Sequence, residues 1–421
     1  MKKNNEEKQQ QEGSTAGPVS RSIDKRMAMS KEEKLKEAQK KIGEISKSMN
    51  LIFPERKSLI QGALTALLAK EHVLVLGPPG TAKSMFARVF ADAVAGGSYF
   101  ELLLTKFTTV EEVFGPISFI QLKNDKYVRL LNGYAADARI VVLDEIFKGS
   151  SSINNCNLTL INERAFHNGG KLIPAPLELM MAMSNEYPQD PSLDALFDRF
   201  AFKYWVDYIS DRDSLEYLLS GKNLSKPVEK MDDDDISALR EATCTMPFGT
   251  SCINTLLNIK SALQDKGFFA SDRTWVKAVK IVKARAILNG RTTVSSSDFM
   301  VLSDVMWLKH SDRDAMNTVI GNAADPYGSR AEAIIDGVKT AMNALPDICF
   351  LKSGQKTKVE FMHIITEISG QVASRKDALD DLVSEADQDN DSIDQAKEIC
   401  TEAREQIDKF MSEVTYYREM K

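Results

Sequence analysis

Residues 72–91, HVLVLGPPGTAKSMFARVFA, constrain the chain more than any other stretch. An apolar β-type run (Val73, Leu74, Val75, Leu76) ends in GPPGTAKS, and a helical pattern follows through Met85, Phe86, Val89 and Phe90. Gly77, Lys83 and Ser84 stand at the spacing G-x-x-x-x-G-K-[ST], in the strand–loop–helix context that gives this spacing meaning. Ala82 occupies the position where the second glycine is usual, with Gly80 two residues upstream. Such a turn aims successive backbone N–H groups inward, and the helix N-terminus adds the positive end of its dipole, so the loop cradles phosphates. The candidate binding segment is therefore Gly77, Pro78, Pro79, Gly80, Thr81, Ala82, Lys83, Ser84 and Met85. Lys83 is placed to reach β- and γ-phosphates and the Ser84 hydroxyl to ligate Mg²⁺, so ATP and Mg²⁺ are the expected ligands.

Further strand candidates fall at 99–104, 140–143, 177–183 and 200–206, separated by helical or loop material. With 73–76 they predict a five-stranded parallel α/β sheet with helices on both faces. Ligands of such sheets bind at the carboxyl ends of the strands. The run IVVLDE ends there in two acids. Asp144 suits a metal held through water, and Glu145 suits a general base that polarises an attacking water. An Asp-Glu pair after an apolar run is in isolation a weak signal, and its weight comes from following a phosphate loop. At the end of the 177–183 run, Asn185 is a candidate for hydrogen bonding to the γ-phosphate, or else a turn residue before Pro188.

Composition narrows the function class. Hydrophobic residues make up 43% and charged residues 27%, as in ordinary globular proteins. A net charge of −6 gives no basic field for nucleic acid. The cysteines (Cys156, Cys244, Cys252, Cys349, Cys400) are scattered, without the spacing of a zinc site, which fits free thiols in a reducing compartment. No run has the length and apolarity of a membrane span, and a cytoplasmic location is expected.

Around the core, residues 1–30 are polar and of low complexity and are expected to be disordered. Helices are predicted at 31–50 and 56–70. Between the strands lie two insertions. The stretch 111–133 carries a turn signal at Lys123-Asn124-Asp125 between partly alternating runs, suggesting a hairpin that breaks into helix. The stretch 164–173 carries Asn168-Gly169-Gly170, a strong hairpin signal on which His167 reads as a surface residue. Helices are then expected near 214–220, 235–242, 252–266, 275–288 and 297–308. Ser271-Asp272 is placed to cap one of them, and the acidic run 232–235 reads as a solvated helix start.

The ordered texts GPPGTAKS, TKFTTVEEVFGPIS, IVVLDEIFKGSSSINNCNLTLINERAFHNGG, MMAMSNE, LDALFDRF and SDRTWVKAVKIVKARAILNGR resemble the MoxR family of AAA+ ATPases, in its RavA-type branch. The resemblance runs from about Phe53 to Lys309. It implies an AAA+ α/β core at 31–206 with N-terminal helices, a helical lid at 207–310, and a hexameric ring or spiral that remodels other proteins by Mg²⁺-dependent ATP hydrolysis. It also implies that both insertions face the pore or a partner, commonly a protein with a von Willebrand factor type A domain. Arg199 in LFDRF matches the family's arginine finger, and Arg273 in SDRTW its sensor 2 arginine. Arg164 is a second candidate for action in the neighbouring subunit.

Past residue 311 the resemblance weakens. The β-rich insert of RavA-type proteins has no counterpart, and apolar residues at three- and four-residue spacing across 365–386 and 393–414 predict a helical region at 311–421 with an antiparallel coiled-coil hairpin. That hairpin is either structural or a docking arm. An MCM-like nucleic-acid motor using Lys123, Lys126, Arg129 and Lys171 is one rival function, and a slow ATP-dependent assembly scaffold is another.

Overall fold

The computed structural model describes residues 30–94, 98–223 and 227–325, with isolated helical positions from 330 to 382. The expected N-terminal disorder and nearly all of the expected coiled-coil hairpin lie outside the described residues. The chain divides into two compact units, one of Met1–Met246 with Lys283–Thr292, the other of Pro247–Val282 with Thr293–Lys421.

The first unit is built on five parallel strands, β1 (Val73–Leu76), β2 (Tyr99–Leu103), β3 (Ile140–Asp144), β6 (Leu179–Ser184) and β7 (Phe202–Trp205), in the order β2-β3-β6-β1-β7. The strands coincide with the apolar runs because β1 and β6 are wholly buried, as is β3 up to Leu143, and such strands read as continuous hydrophobics. A separate antiparallel hairpin joins β4 (Ala165–Asn168) to β5 (Lys171–Pro174), turning through Gly169 and Gly170 at φ of 60° and 77°. These left-handed conformations are the reason for the glycine pair.

Helices flank the sheet. Helix α1 (Lys31–Ile52) starts at Ser30 in a capping box with Glu33. Helix α2 (Lys57–Ala69) packs on β1 and β7 and is buried along most of its length. Helix α3 (Lys83–Val94) packs on β3 and β6 through an apolar face holding Phe86 and Phe90, and Phe86 meets Phe53 edge-on at 5.4 Å. After β2 come two short helices, α4 (Val110–Phe114) and α5 (Phe119–Leu122). The stretch expected to form a hairpin here has instead one isolated bridge, Ile117 to Arg129. Ser118 caps α5 by accepting from the Gln121 N–H at 3.3 Å, which commits the first arm to helix and leaves no second strand to pair.

Helix α6 (Ser151–Glu163) leads into the hairpin. Two more short helices follow, α7 (Asp194–Phe197) before β7 and α8 (Arg212–Leu219) after it. Helix α9 (Asp233–Thr245) then closes the unit. It is tied down at its start: Asp232 and Asp235 form a capping box, and Asp235, fully buried, takes the Lys41 ammonium of α1 at 3.0 Å. The acidic run is thus a helix start as expected, but its last member is an interior anchor because α1 covers it.

In the second unit α10 (Thr250–Asp265) packs against α12 (Arg313–Ala324), which also covers a 3₁₀ stretch, Ser296–Asp304, where an α-helix was expected. Buried Phe299, Val301 and Leu302 anchor that stretch, and Asp304 pairs with Arg313 at 2.7 Å. Helix α11 (Asp272–Leu288) has Ser271 accepting from the Thr274 N–H at 3.3 Å, the cap read from sequence. No described helix is long and apolar enough to cross a membrane.

Replacing Asp235 by Ala removes the half of the capping box that accepts from the Asp232 N–H and takes the buried partner from Lys41, leaving it Glu37 at 3.6 Å, which is expected to cost about 2 kcal/mol. Urea unfolding of the Asp235→Ala protein checks it through a lower midpoint at unchanged slope.

Candidate active site

The site lies where β1, β6 and β3 end side by side. The ladder sets Leu76 of β1 opposite Ser184 of β6, and Leu143 of β3 opposite Ala182 of β6. The next residues out are therefore Gly77, Asn185, and Asp144 with Glu145.

Gly77 leaves β1 at φ 142°, and a Cβ there would sit 2.0 Å from the Val206 carbonyl oxygen, so no other residue fits. Gly80 takes φ 82°. Ala82 takes φ 61°, the left-handed region, so the loop keeps a glycine-type backbone with an alanine in it, at a cost of roughly 1–2 kcal/mol. Thr81 donates its hydroxyl to the Pro78 carbonyl at 3.0 Å, and the Phe86 N–H bonds the Ala82 carbonyl at 2.9 Å, opening α3. Pro79 and Met85 are exposed on this loop and helix start.

Lys83 is buried, with 7% of its surface exposed. Its ammonium donates to the Gly77 carbonyl at 2.7 Å, the Pro78 carbonyl at 2.8 Å and Asn185 Oδ1 at 3.0 Å. Burial pulls its pKa down, opposed by the negative charges of Asp144 and Glu145. Ser84 donates to Asp144 Oδ2 at 2.7 Å, and the Glu145 N–H donates to Asp144 Oδ1 at 2.9 Å. Asn185 Nδ2 donates to Glu145 Oε1. Glu145, 7% exposed, has φ 55°, a left-handed backbone that a glutamate adopts only when its surroundings hold it there. The Lys148 ammonium stands 3.2 Å from Glu145 Oε2.

Five residues singled out in the sequence, Lys83, Ser84, Asp144, Glu145 and Asn185, thus form one connected polar cluster. A hydroxyl and a carboxylate 2.7 Å apart are hard oxygen donors of the kind Mg²⁺ takes alongside phosphate and water. Arg199 lies just past α7, its N–H bonded to the Leu196 carbonyl at 3.1 Å and its guanidinium 3.9 Å from Asp198. Arg273 is exposed in the first turn of α11, in the other unit. Arg164 donates within its own chain to the Leu177 carbonyl at 3.0 Å and the Lys70 carbonyl at 2.6 Å, bonds that tie the lead-in to β6 to the end of α2. Lys148 escaped sequence reading, since a lysine after an acidic pair carries no motif.

The two insertions meet. Asn168 of the hairpin accepts from the Arg129 N–H at 2.6 Å and donates to the Arg129 carbonyl at 3.0 Å, and Phe114 stacks on Phe166 at 4.9 Å.

Residues 40–242 match the model of the MoxR domain in the MoxR-vWA-beta-propeller ternary systems, and residues 251–320 match the AAA lid domain. The chain belongs to the MoxR family of AAA+ ATPases. An uncharacterized protein of Methanocaldococcus jannaschii is 35% identical over 77% of this chain and 85% of its own length. The chaperone MoxR1 of Mycobacterium tuberculosis is 25% identical over 61% of this chain and 71% of its own. A crystal structure from Cytophaga hutchinsonii, provisionally assigned as an ATPase, shares the fold at a TM-score of 0.57 and 20% identity, covering 71% of this chain and 98% of that one. The MoxR core and lid agree with the AAA+ α/β fold and helical lid expected from sequence.

The strain at Ala82 yields a test. Ala82→Gly is expected to be neutral or to stabilise by up to about 1 kcal/mol, relief of the left-handed alanine being offset by glycine's unfolded-state entropy. Ala82→Val is expected to destabilise and to weaken ATP binding, because a β-branched residue resists this conformation. Thermal melts with and without ATP read both.

Proposed function

We propose that this MoxR protein hydrolyses ATP to drive chaperone-like remodelling of a partner protein, working as an oligomeric ring. The observation that carries this reading is the cluster at the sheet edge, where Lys83, Ser84, Asp144, Glu145 and Asn185 converge from the segments that follow three neighbouring strands. The loop 77–82 and the N-terminus of α3 receive the phosphates, and Lys83 exchanges its loop carbonyls for phosphate oxygens. Ser84 and Asp144 are the residues that would hold Mg²⁺, which supplies charge neutralisation on the phosphates. Glu145 accepts the proton of the attacking water, and its buried carboxylate is aimed by the Asn185 amide. Asn185, already between Lys83 and Glu145, is placed to report the γ-phosphate to both.

Arg199, as the arginine finger, enters a neighbouring copy's site and stabilises charge on the transferring phosphoryl group, while Arg273 couples nucleotide state to the lid. Both roles follow from the family motifs. A hexameric ring or spiral is the assembly this requires. The partner is a protein with a von Willebrand factor type A domain, in the three-component arrangement for which the matching family model is named. The RavA-type branch is the best match for the sequence motifs. An ATP-fuelled motor works where ATP is supplied, so the cytoplasm is its compartment.

Glu145→Gln is expected to lower kcat by roughly 10²- to 10⁴-fold, the scale of general-base catalysis, while ATP still binds. Turnover near wild type would overturn the assignment, and chelation of Mg²⁺ with EDTA should abolish hydrolysis in the unaltered protein. Specific activity should rise with protein concentration as copies assemble. Arg199→Ala should remove that rise while leaving nucleotide affinity in place, as read by fluorescence titration.

A further inference from the structure

We infer that Lys148 is a positioning residue for hydrolysis, holding the Glu145 carboxylate in its working orientation; this rests on reading Glu145 as the general base. A glutamate side chain turns about three bonds, so one hydrogen bond leaves it free to swing. Here Oε1 takes a hydrogen bond from Asn185 Nδ2, while Oε2, buried and without a hydrogen-bond partner, has the Lys148 ammonium 3.2 Å away as its ion-pair partner.

The pairing is built into the local backbone. Glu145, in its left-handed conformation, opens a 3₁₀ turn over Ile146–Lys148, closed by the Lys148 N–H on the Glu145 carbonyl at 2.9 Å. The turn brings the chain back on itself within three residues, which places the Lys148 ammonium beside the Glu145 carboxylate. Ile146 is fully buried under the turn and pins it.

The two anchors differ in what else they serve. Asn185 also accepts from Lys83, and both groups face the phosphate loop. When a nucleotide draws Lys83 and Asn185 toward phosphate, Oε1 loses its donor. Lys148, its side chain 44% exposed, pairs with the other oxygen and keeps its hold on Oε2. The carboxylate then stays aimed at the moment the water attacks. The lysine's own charge is half solvated, but its loss takes the ion-pair partner from the buried Glu145 carboxylate, so a melt is read beside the rate to separate a loss of stability from a loss of aim.

The test compares Lys148→Met, Lys148→Arg and Glu145→Gln with wild type in steady-state ATPase assays and thermal melts. Lys148→Met is expected to lower kcat roughly 10- to 100-fold, the scale of a displaced catalytic group. KM for ATP should stay unchanged, any drop in melting temperature should be too small to unfold the protein at the assay temperature, and Lys148→Arg should restore most of the rate. A kcat within about twofold of wild type, with Glu145→Gln inactive, overturns the inference and spares the general-base reading. If Glu145→Gln itself turns over normally, that reading fails first. Mixing Lys148→Met with Glu145→Gln protein separates a hold within one chain from a reach into the next. Unchanged low activity supports the hold on the lysine's own glutamate, whereas recovery in mixed assemblies overturns it.

Discussion

The position of β6 between β1 and β3 is the constraint on which the rest depends. Neighbouring strands lie about 4.8 Å apart, so the loop after β1 and the acids after β3 each stand one strand spacing from Asn185. An amide is the group that suits this middle place. Its oxygen accepts from the Lys83 ammonium at 3.0 Å and its nitrogen donates to the Glu145 carboxylate, so it links a cation and an anion without cancelling either charge. A carboxylate there would repel Glu145, and a lysine would repel Lys83. The cluster is thus a consequence of strand order as much as of the residues themselves.

Two of the six described non-glycine residues with positive φ, Ala82 and Glu145, stand at the same edge, in the left-handed conformation that β-carbons resist, while β1 and β6 behind them are buried. β1, β3 and β6 supply the interior, and Phe86 and Phe90 fasten α3 to Phe53 and to the sheet. The strain orients two functional elements, the N-terminus of α3 and the Glu145 side chain, that an unstrained chain would aim elsewhere.

Much of this was legible in advance, for physical reasons that can be named. β1, β3 and β6 are continuous apolar runs because these parallel strands are covered on both faces, and the β4–β5 turn declares itself through Asn168-Gly169-Gly170. Lys83, Ser84, Asp144, Glu145 and Asn185 follow from their places at strand ends. What stayed hidden depends on long-range partners or on fine local geometry. Asp235 looks solvated until α1, 194 residues away in sequence, brings Lys41 onto it. Ser118 turns a stretch with strand-like alternation into a short helix. Lys148 matters only once the turn after Glu145 is known to be 3₁₀, a distinction of about one hydrogen bond that no residue pattern encodes.

The same turn bears on how chemistry at the sheet edge could reach the insertions. From Lys148 the chain passes Gly149 and the Ser150 cap into α6, thirteen residues or about 20 Å of helix, and then into the β4–β5 hairpin. Helix α6 is secured at its far end where Arg164 ties the Leu177 and Lys70 carbonyls. Beyond that, Asn168 grips both polar groups of the Arg129 backbone, and Phe114 stacks on Phe166, so hairpin and insert are fastened to each other. Each link is a hydrogen-bonded or packed element with little slack. Any rearrangement of the Glu145 turn therefore meets a stiff, continuous path to the insert, whereas the exposed residues of that insert (Phe119, Ile120 and Tyr127) are free to adapt to whatever they touch. A hydrogen-bonded path behind and exposed apolar residues at the tip would suit the remodelling proposed above, and both follow from one strand end, one helix and one asparagine.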